Sequence, residues 1–170
     1  LNLILRLYEP TSGEILLEGR NIREYQKDVL PRKITAAMQQ YNIFAMSIRD
    51  NILLDKELDE ERLDNAVNSA QIAELIGELD GNYDYMISQN GNNLSGGQKQ
   101  RVSIARTLYR DSDLVVLDDV SSALDYSTDL KLRKALRDNY AHTSVMLISQ
   151  RISSVRSADQ ILVMHNGACM

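Results

Sequence analysis

The residues with the clearest chemical potential form the run Leu94-Ser95-Gly96-Gly97-Gln98. Ser95 and Gln98 have the Ser-x-x-Gln spacing of a capping box, which predicts that a helix begins here. Each glycine in a first helical turn costs about 1 kcal/mol relative to alanine, so two in succession indicate that another group approaches the backbone closely. Free N–H groups at a helix N-terminus attract anions, and the run therefore predicts a phosphate contact. An ordinary helix cap without a ligand is the alternative.

A second candidate site follows the apolar run 114–117, which ends in Asp118 and Asp119. A continuous apolar run of this length is typical of a strand buried on both faces of a parallel sheet. Ligands of α/β proteins bind beyond the carboxyl ends of such strands, where carboxylates typically hold Mg²⁺. A cap for the next helix would explain one aspartate, but it explains two adjacent ones less well.

The composition limits the class of protein. The chain has 170 residues, which corresponds to one domain or part of one, and its 44% hydrophobic content suffices for a core. The formal net charge of −5 disfavours a general nucleic-acid-binding surface. Cys169 is the sole cysteine, so an internal disulfide is excluded.

Residue patterns predict strands that alternate with helices, and this order implies a parallel sheet. Strands are expected near 14–18, 34–38, 113–118, 145–148 and 161–164, the last two in the core. Helices are expected near 1–8, 59–70, 72–76, 95–109 and 127–139, with Asp59 and Ser127 as caps. Asn166-Gly167 predicts a hairpin turn.

Taken together, these stretches resemble the nucleotide-binding domain of ABC transporters. The run 94–98 matches the family's signature motif, 114–119 its Walker B strand and 121–125 its D-loop, in the family's order and spacing. Further segments extend the likeness over nearly all of the chain: 6–15 after the phosphate loop, 38–40 in the Q-loop, 47–52 after it, and 147–151 with 155–159 around the H-loop. The chain is similar to the exporter type of this domain.

The resemblance implies a P-loop NTPase (RecA-like) fold, with a parallel-sheet core and an inserted α-helical subdomain. Residues 1–54 and 111–170 would form the core parts, and 55–110 the helical subdomain that carries the signature motif. The 170 residues contain no G-x-x-x-x-G-K-[ST] phosphate loop. We therefore expect a fragment that is incomplete at both ends, lacks the Walker A motif and is inactive in isolation.

The resemblance also implies ATP and Mg²⁺ as cofactors and assigns roles to residues. Asp118 and Gln39 would hold Mg²⁺, while Asp119, Gln150 and Gln39 would serve hydrolysis. The signature residues would touch a nucleotide bound by a partner domain: Ser95, Gly96, Gly97 and Gln98. Asp125 would lie at the interface with that partner, although a cap for the following helix explains it nearly as well.

Three positions depart from the family pattern. Asp119 stands where the family usually has the glutamate general base, Gln150 replaces the H-loop histidine, and Gln89 replaces a glutamate before the signature. Aspartate reaches one methylene less far than glutamate, and glutamine cannot carry a proton as histidine can. With an intact signature, this combination resembles the degenerate-site half of a heterodimeric exporter.

The predicted function is therefore ATP binding and hydrolysis coupled to export across a membrane. The expected partners are a second ABC ATPase domain in a head-to-tail dimer and the transmembrane domains of an exporter, at the cytoplasmic face of the cell membrane, with no nucleic acid. Two alternatives stay open. One is a soluble ABC-type ATPase of DNA repair or chromosome maintenance, and the other is an ATP-dependent dimerisation module that does not hydrolyse ATP.

Overall fold

A computed structural model describes residues 1–40 and 42–170 of the chain. Its helices are α1 (Leu30–Lys33), α2 (Ile48–Leu53), α3 (Glu60–Ser69), α4 (Ala73–Glu78), α5 (Gly96–Tyr109), α6 (Tyr126–Asn139) and α7 (Ile152–Val155). Its strands are β1 (Leu16–Leu17), β2 (Arg20–Asn21), β3 (Ile34–Ala37), β4 (Leu114–Asp118), β5 (Ser144–Ile148), β6 (Met164–His165) and β7 (Ala168–Cys169). None of the described helices is long and apolar enough to cross a bilayer.

The centre of the fold is a three-stranded parallel sheet in the order β3-β4-β5. Strand β4 lies in the middle and is buried on both faces. Val115 and Leu117 belong to a large apolar core on one face, and Val116 belongs to a smaller core on the other. The sequence prediction of an α/β fold with a parallel sheet is confirmed.

Helix α5 lies against the sheet and organises the large core. Its apolar side chains Val102, Ile104, Ala105 and Leu108 are buried, and the helix packs on α2, α3 and β3. Helix α3 begins at its cap Asp59, as predicted, and packs on α5 and α6. The small core lies under the β1–β2 hairpin and α1. The sheet and α5 thus form the frame that carries the candidate residues.

Three local predictions were wrong. Residues 161–164 do not form a core strand: their side chains are each more than half exposed, since β6 pairs with β7 in a hairpin rather than with the central sheet. Residues 1–8 form hydrogen-bonded turns instead of a helix, with Arg6 at a φ of 53°. The cap of α6 is Asp125 and not Ser127, because Asp125 accepts the Thr128 N–H that a helix start leaves unpaired.

Candidate functional site

Two of the predicted residues meet beyond the carboxyl ends of β3 and β4. The strands are parallel with Ala37 opposite Leu117, so Gln39 and Asp119 each lie two residues past this last pair. The Gln39 side-chain amide donates a long hydrogen bond, 3.4 Å, from Nε2 to Oδ2 of Asp119. The register of the sheet therefore brings together an amide and a carboxylate that are far apart in sequence.

A sharp turn at Asp119 ends strand β4. Its backbone is left-handed, with φ 49° and ψ 31°, a conformation that aspartate and asparagine tolerate better than most residues. The Asp119 N–H donates to the Ile148 carbonyl at 2.9 Å, and its own carbonyl accepts the Ser122 hydroxyl at 2.7 Å. The turn leads into a 3-10 helix, Val120–Ala123, which we call the 120–123 turn.

Two further candidates lie at the same edge of the sheet. Asp118, half-buried, pairs with Ile148 as the last pair of β4 and β5. Gln150 is exposed and lies two residues beyond the end of β5. The carboxylates of Asp118 and Asp119 and the amide oxygen of Gln39 are hard oxygen ligands, and Mg²⁺ commonly takes one or two such groups together with phosphate oxygens.

The predicted capping box is present at the start of α5. The Gln98 N–H donates to Ser95 Oγ at 3.3 Å, and the Ser95 N–H donates to Gln98 Oε1 at 2.7 Å. Both bonds use oxygen atoms as acceptors, so the Ser95 hydroxyl and the Gln98 amide keep their protons for other partners. Ser95 is exposed, and this helix end can present donors to an anion while it remains capped.

The structure gives Gly97 a role that sequence reasoning did not assign. A Cβ atom built on Gly97 would lie 3.0 Å from the carbonyl oxygen of Ala123, at the end of the 120–123 turn. At this position the close approach comes from the chain's own backbone. A glycine here lets α5 and the turn after β4 pack directly together.

Asp125 acts as a helix cap in this structure. Its carboxylate accepts the Thr128 N–H at 2.9 Å, the Thr128 hydroxyl at 2.6 Å and the Ser127 hydroxyl at 2.8 Å. The hydrogen bonds from Thr128, and then from Ser127, hold the pKa of Asp125 well below its usual range. The carboxylate is therefore ionised, and its predicted interface role stays a prediction.

Sequence reasoning missed a buried acid, Asp129, on α6. Asp129 is 2% exposed and accepts hydrogen bonds from the hydroxyls of Ser121 and Ser154 and from Arg133. One signal was available: Asp129, Leu132 and Leu136 are spaced at i, i+3 and i+7, so an acid occupies the apolar stripe of the helix.

Arg106 on α5 was missed as well. Its guanidinium donates to the Asn51 carbonyl at 2.6 Å, to Asn51 Oδ1 at 3.0 Å and to the Asn42 carbonyl at 2.8 Å. It also stacks over the Phe44 ring, 5.2 Å from the centroid. Burial lowers the pKa of Arg106 to about 10, so the side chain stays charged at neutral pH. Arg106 thereby connects α5 to the segment that follows Gln39.

Comparisons with known proteins agree on one family. A family model described as ABC transporter matches residues 1–122. The chain is 38% identical over 169 residues to the ATP-dependent lipid A-core flippase of Vibrio parahaemolyticus. It is 35% identical over 168 residues to the β-(1→2)glucan export ATP-binding/permease protein NdvA of Rhizobium etli.

The fold has a solved counterpart. A structure of a bacterial Atm1-family ABC exporter with ATP bound superimposes with a TM-score of 0.93 at 32% identity, covering 99% of this chain and 30% of that chain. The flippase and the glucan export protein each match 98% of this chain, which spans 29% of their length.

Proposed function

This chain belongs to the ABC transporter family, and from that membership we propose that it forms part of the ATPase domain of an exporter. The domain would couple ATP binding and hydrolysis to transport, at the cytoplasmic face of the membrane and next to transmembrane domains. Residues 55–110 would act as its helical subdomain. The observation that carries the proposal is the contact between Gln39 and Asp119 beyond the carboxyl ends of two adjacent parallel strands, beside Asp118.

At the chain's own site, Asp118 and Gln39 would hold Mg²⁺ at the phosphates of ATP. The metal would neutralise charge on those phosphates. Asp119 would orient and deprotonate the attacking water, and Gln39 would hold the Asp119 carboxylate in place through the hydrogen bond that it donates. Its short side chain limits the reach towards that water, and Gln150 cannot carry a proton. We therefore propose that this site hydrolyses ATP slowly.

The signature segment would serve the other site of the dimer. The Ser95 hydroxyl, the Gln98 amide and the first N–H groups of α5 are hydrogen-bond donors, which suits the γ-phosphate of a nucleotide held by a partner domain. Gly96 and Gly97 would keep this helix end open, and Asp125 would lie beside the partner. A weak site and an intact signature in one chain favour a heterodimer.

The test compares the signature segment with the chain's own site. It uses an exporter assembled from the subunit that carries this chain and its partner subunit. We expect Ser95→Ala to lower steady-state ATP hydrolysis by about tenfold or more, since it removes a donor to the competent site. Asp119→Ala is expected to have a smaller effect. Ser157→Ala, at another exposed serine, is the matched control. A larger loss for Asp119→Ala would show that the chain's own site carries the turnover.

A second candidate function is an ATP-dependent dimerisation module without turnover. It is favoured by Asp119 in place of the usual glutamate and by the bond that engages its carboxylate with Gln39. In that case the assembled pair would dimerise with ATP but would show no hydrolysis in a single-turnover assay. Detectable hydrolysis that depends on Ser95 would exclude it.

A further inference from the structure

Asp129 is a buried carboxylate that binds two separate segments at once. Its Oδ1 accepts the Ser121 hydroxyl at 2.6 Å, and its Oδ2 accepts the Ser154 hydroxyl at 3.0 Å and Arg133 Nε at 3.1 Å. Ser121 is 0% exposed and Ser154 is 2% exposed, so these bonds lie in the protein interior. A planar carboxylate with one oxygen on each segment fixes the distance between the two segments.

The two segments are those that carry Asp119 and Gln150. Ser121 lies in the 120–123 turn, two residues after Asp119, and Ser154 lies in α7, four residues after Gln150. Two neighbouring bonds reinforce the link. Arg133 Nη1 donates to the Ser153 carbonyl at 3.0 Å, and Arg151 Nη1 donates to the Leu124 carbonyl at 3.1 Å.

The stability of the fold alone does not explain why a charged residue occupies position 129 in the interior. Leu132 and Leu136 continue the same stripe of α6 in the core, and apolar residues in place of a buried ion pair are often as stable or more stable. The hydrogen bonds of Asp129 do restrict the positions of its donors Ser121, Ser154 and Arg133, because a carboxylate with several donors allows little movement of any of them. These hydrogen bonds therefore set the relative position of the 120–123 turn and α7.

We propose that Asp129 is a positioning residue at the chain's own ATP site. It holds the 120–123 turn, which follows Asp119, at a fixed distance from α7, which follows Gln150. The catalytic consequence rests on the proposed function. The mechanical link between the two segments does not depend on it. Asp129 touches no reacting atom in this scheme, and its loss acts on the rate of the chemical step rather than on ATP binding.

The first experiment tests the link in the 170-residue chain by hydrogen exchange of the backbone amides. Ser121→Ala removes the bond to one segment, and we expect faster exchange in the other segment, residues 150–155, by about tenfold. Ser154→Ala should have the reciprocal effect on residues 119–124. Leu136→Ala is the control, because it weakens α6 without touching the cluster. Exchange that changes only next to each substitution would overturn the proposal.

The second experiment measures single-turnover hydrolysis at this chain's own site in the assembled pair, with the partner's site inactivated. Asp129→Asn should lower the rate constant by about tenfold and leave the apparent ATP affinity within about threefold. Leu136→Ala should change neither quantity. An equal loss of rate for Leu136→Ala would show that Asp129 acts through stability alone. If the unmodified pair hydrolyses no ATP, the proposed function fails, while the exchange experiment still decides whether the link exists.

Discussion

At the scale of single residues, Asp119 combines a limited reach with an unusual backbone. Its left-handed φ of 49° suits aspartate, and most other residues pay about 1 kcal/mol or more for this conformation. Aspartate therefore suits the left-handed backbone at position 119, although its side chain would reach less far than glutamate towards the attacking water. Substitutions at Asp119 must be interpreted with both effects in mind.

We predict that Asp119→Glu combined with Gln150→His raises ATP hydrolysis at the chain's own site. Glutamate regains the reach to a water near the γ-phosphate, and histidine can carry a proton. The double variant should exceed both single variants, because groups that act as a unit are not additive. The measurement is ATPase activity of the assembled pair with the partner's site inactivated. Activity no higher than that of the unmodified pair would place the defect in the partner's contribution to this site.

Asp125 makes stability depend on pH in the acid range. Hydrogen bonds from Thr128 and Ser127 lower its pKa in the folded chain below the ordinary value of 3.8, so the ionised cap stabilises the fold above that pH. The stabilisation is lost as the pH falls further and the folded carboxylate is protonated. Asp125→Asn should therefore flatten the acid limb of a plot of Tm against pH. Asp80→Asn, at an exposed position, controls for the loss of one charge and should leave the limb unchanged.

At the scale of elements, Arg106 connects α5 to the segment from residue 42 to α2 through three hydrogen bonds. We predict that Arg106→Met lowers the free energy of unfolding by about 2–3 kcal/mol, because three carbonyl or amide oxygens lose a charged donor. Urea unfolding of the 170-residue chain measures this effect. Arg137→Met, on the exposed face of α6, is the matched control and should change the free energy little. Equal effects of the two substitutions would refute the proposed role of Arg106.

The elements that sequence reasoning predicted correctly carry local signals. Strand β4 is an uninterrupted apolar run, and α5 and α3 begin with capping residues that are visible in the sequence. The run 161–164 was misjudged because its composition suits a core strand, whereas its burial depends on which element pairs with it. The Asp129 cluster could not be predicted, since its partners come from α7 and from the 120–123 turn. Only the fold brings those segments together.

At the scale of the whole molecule, the proposed function would give the chain parts of two different nucleotide sites. We predict that the 170-residue chain alone binds Mg-ATP weakly, because it contains no G-x-x-x-x-G-K-[ST] segment to surround the phosphates. Calorimetric titration with Mg-ATP tests this, with a complete ABC ATPase domain as the positive control. Micromolar affinity for the chain alone would contradict the prediction and would point to a phosphate site elsewhere in these residues.

The register of the parallel sheet also has a consequence for the order in which the chain folds. Leu114 pairs with Ser144 across a short stretch of intervening chain and with Ile34 across a much longer one. Closing the longer loop costs more entropy, and distant pairings slow folding, so we expect β4 and β5 to associate before β3 joins them. Docking of β3 is the step that carries Gln39 to Asp119. The chain thus completes its candidate catalytic contact late in folding, and intermediates without β3 would lack it.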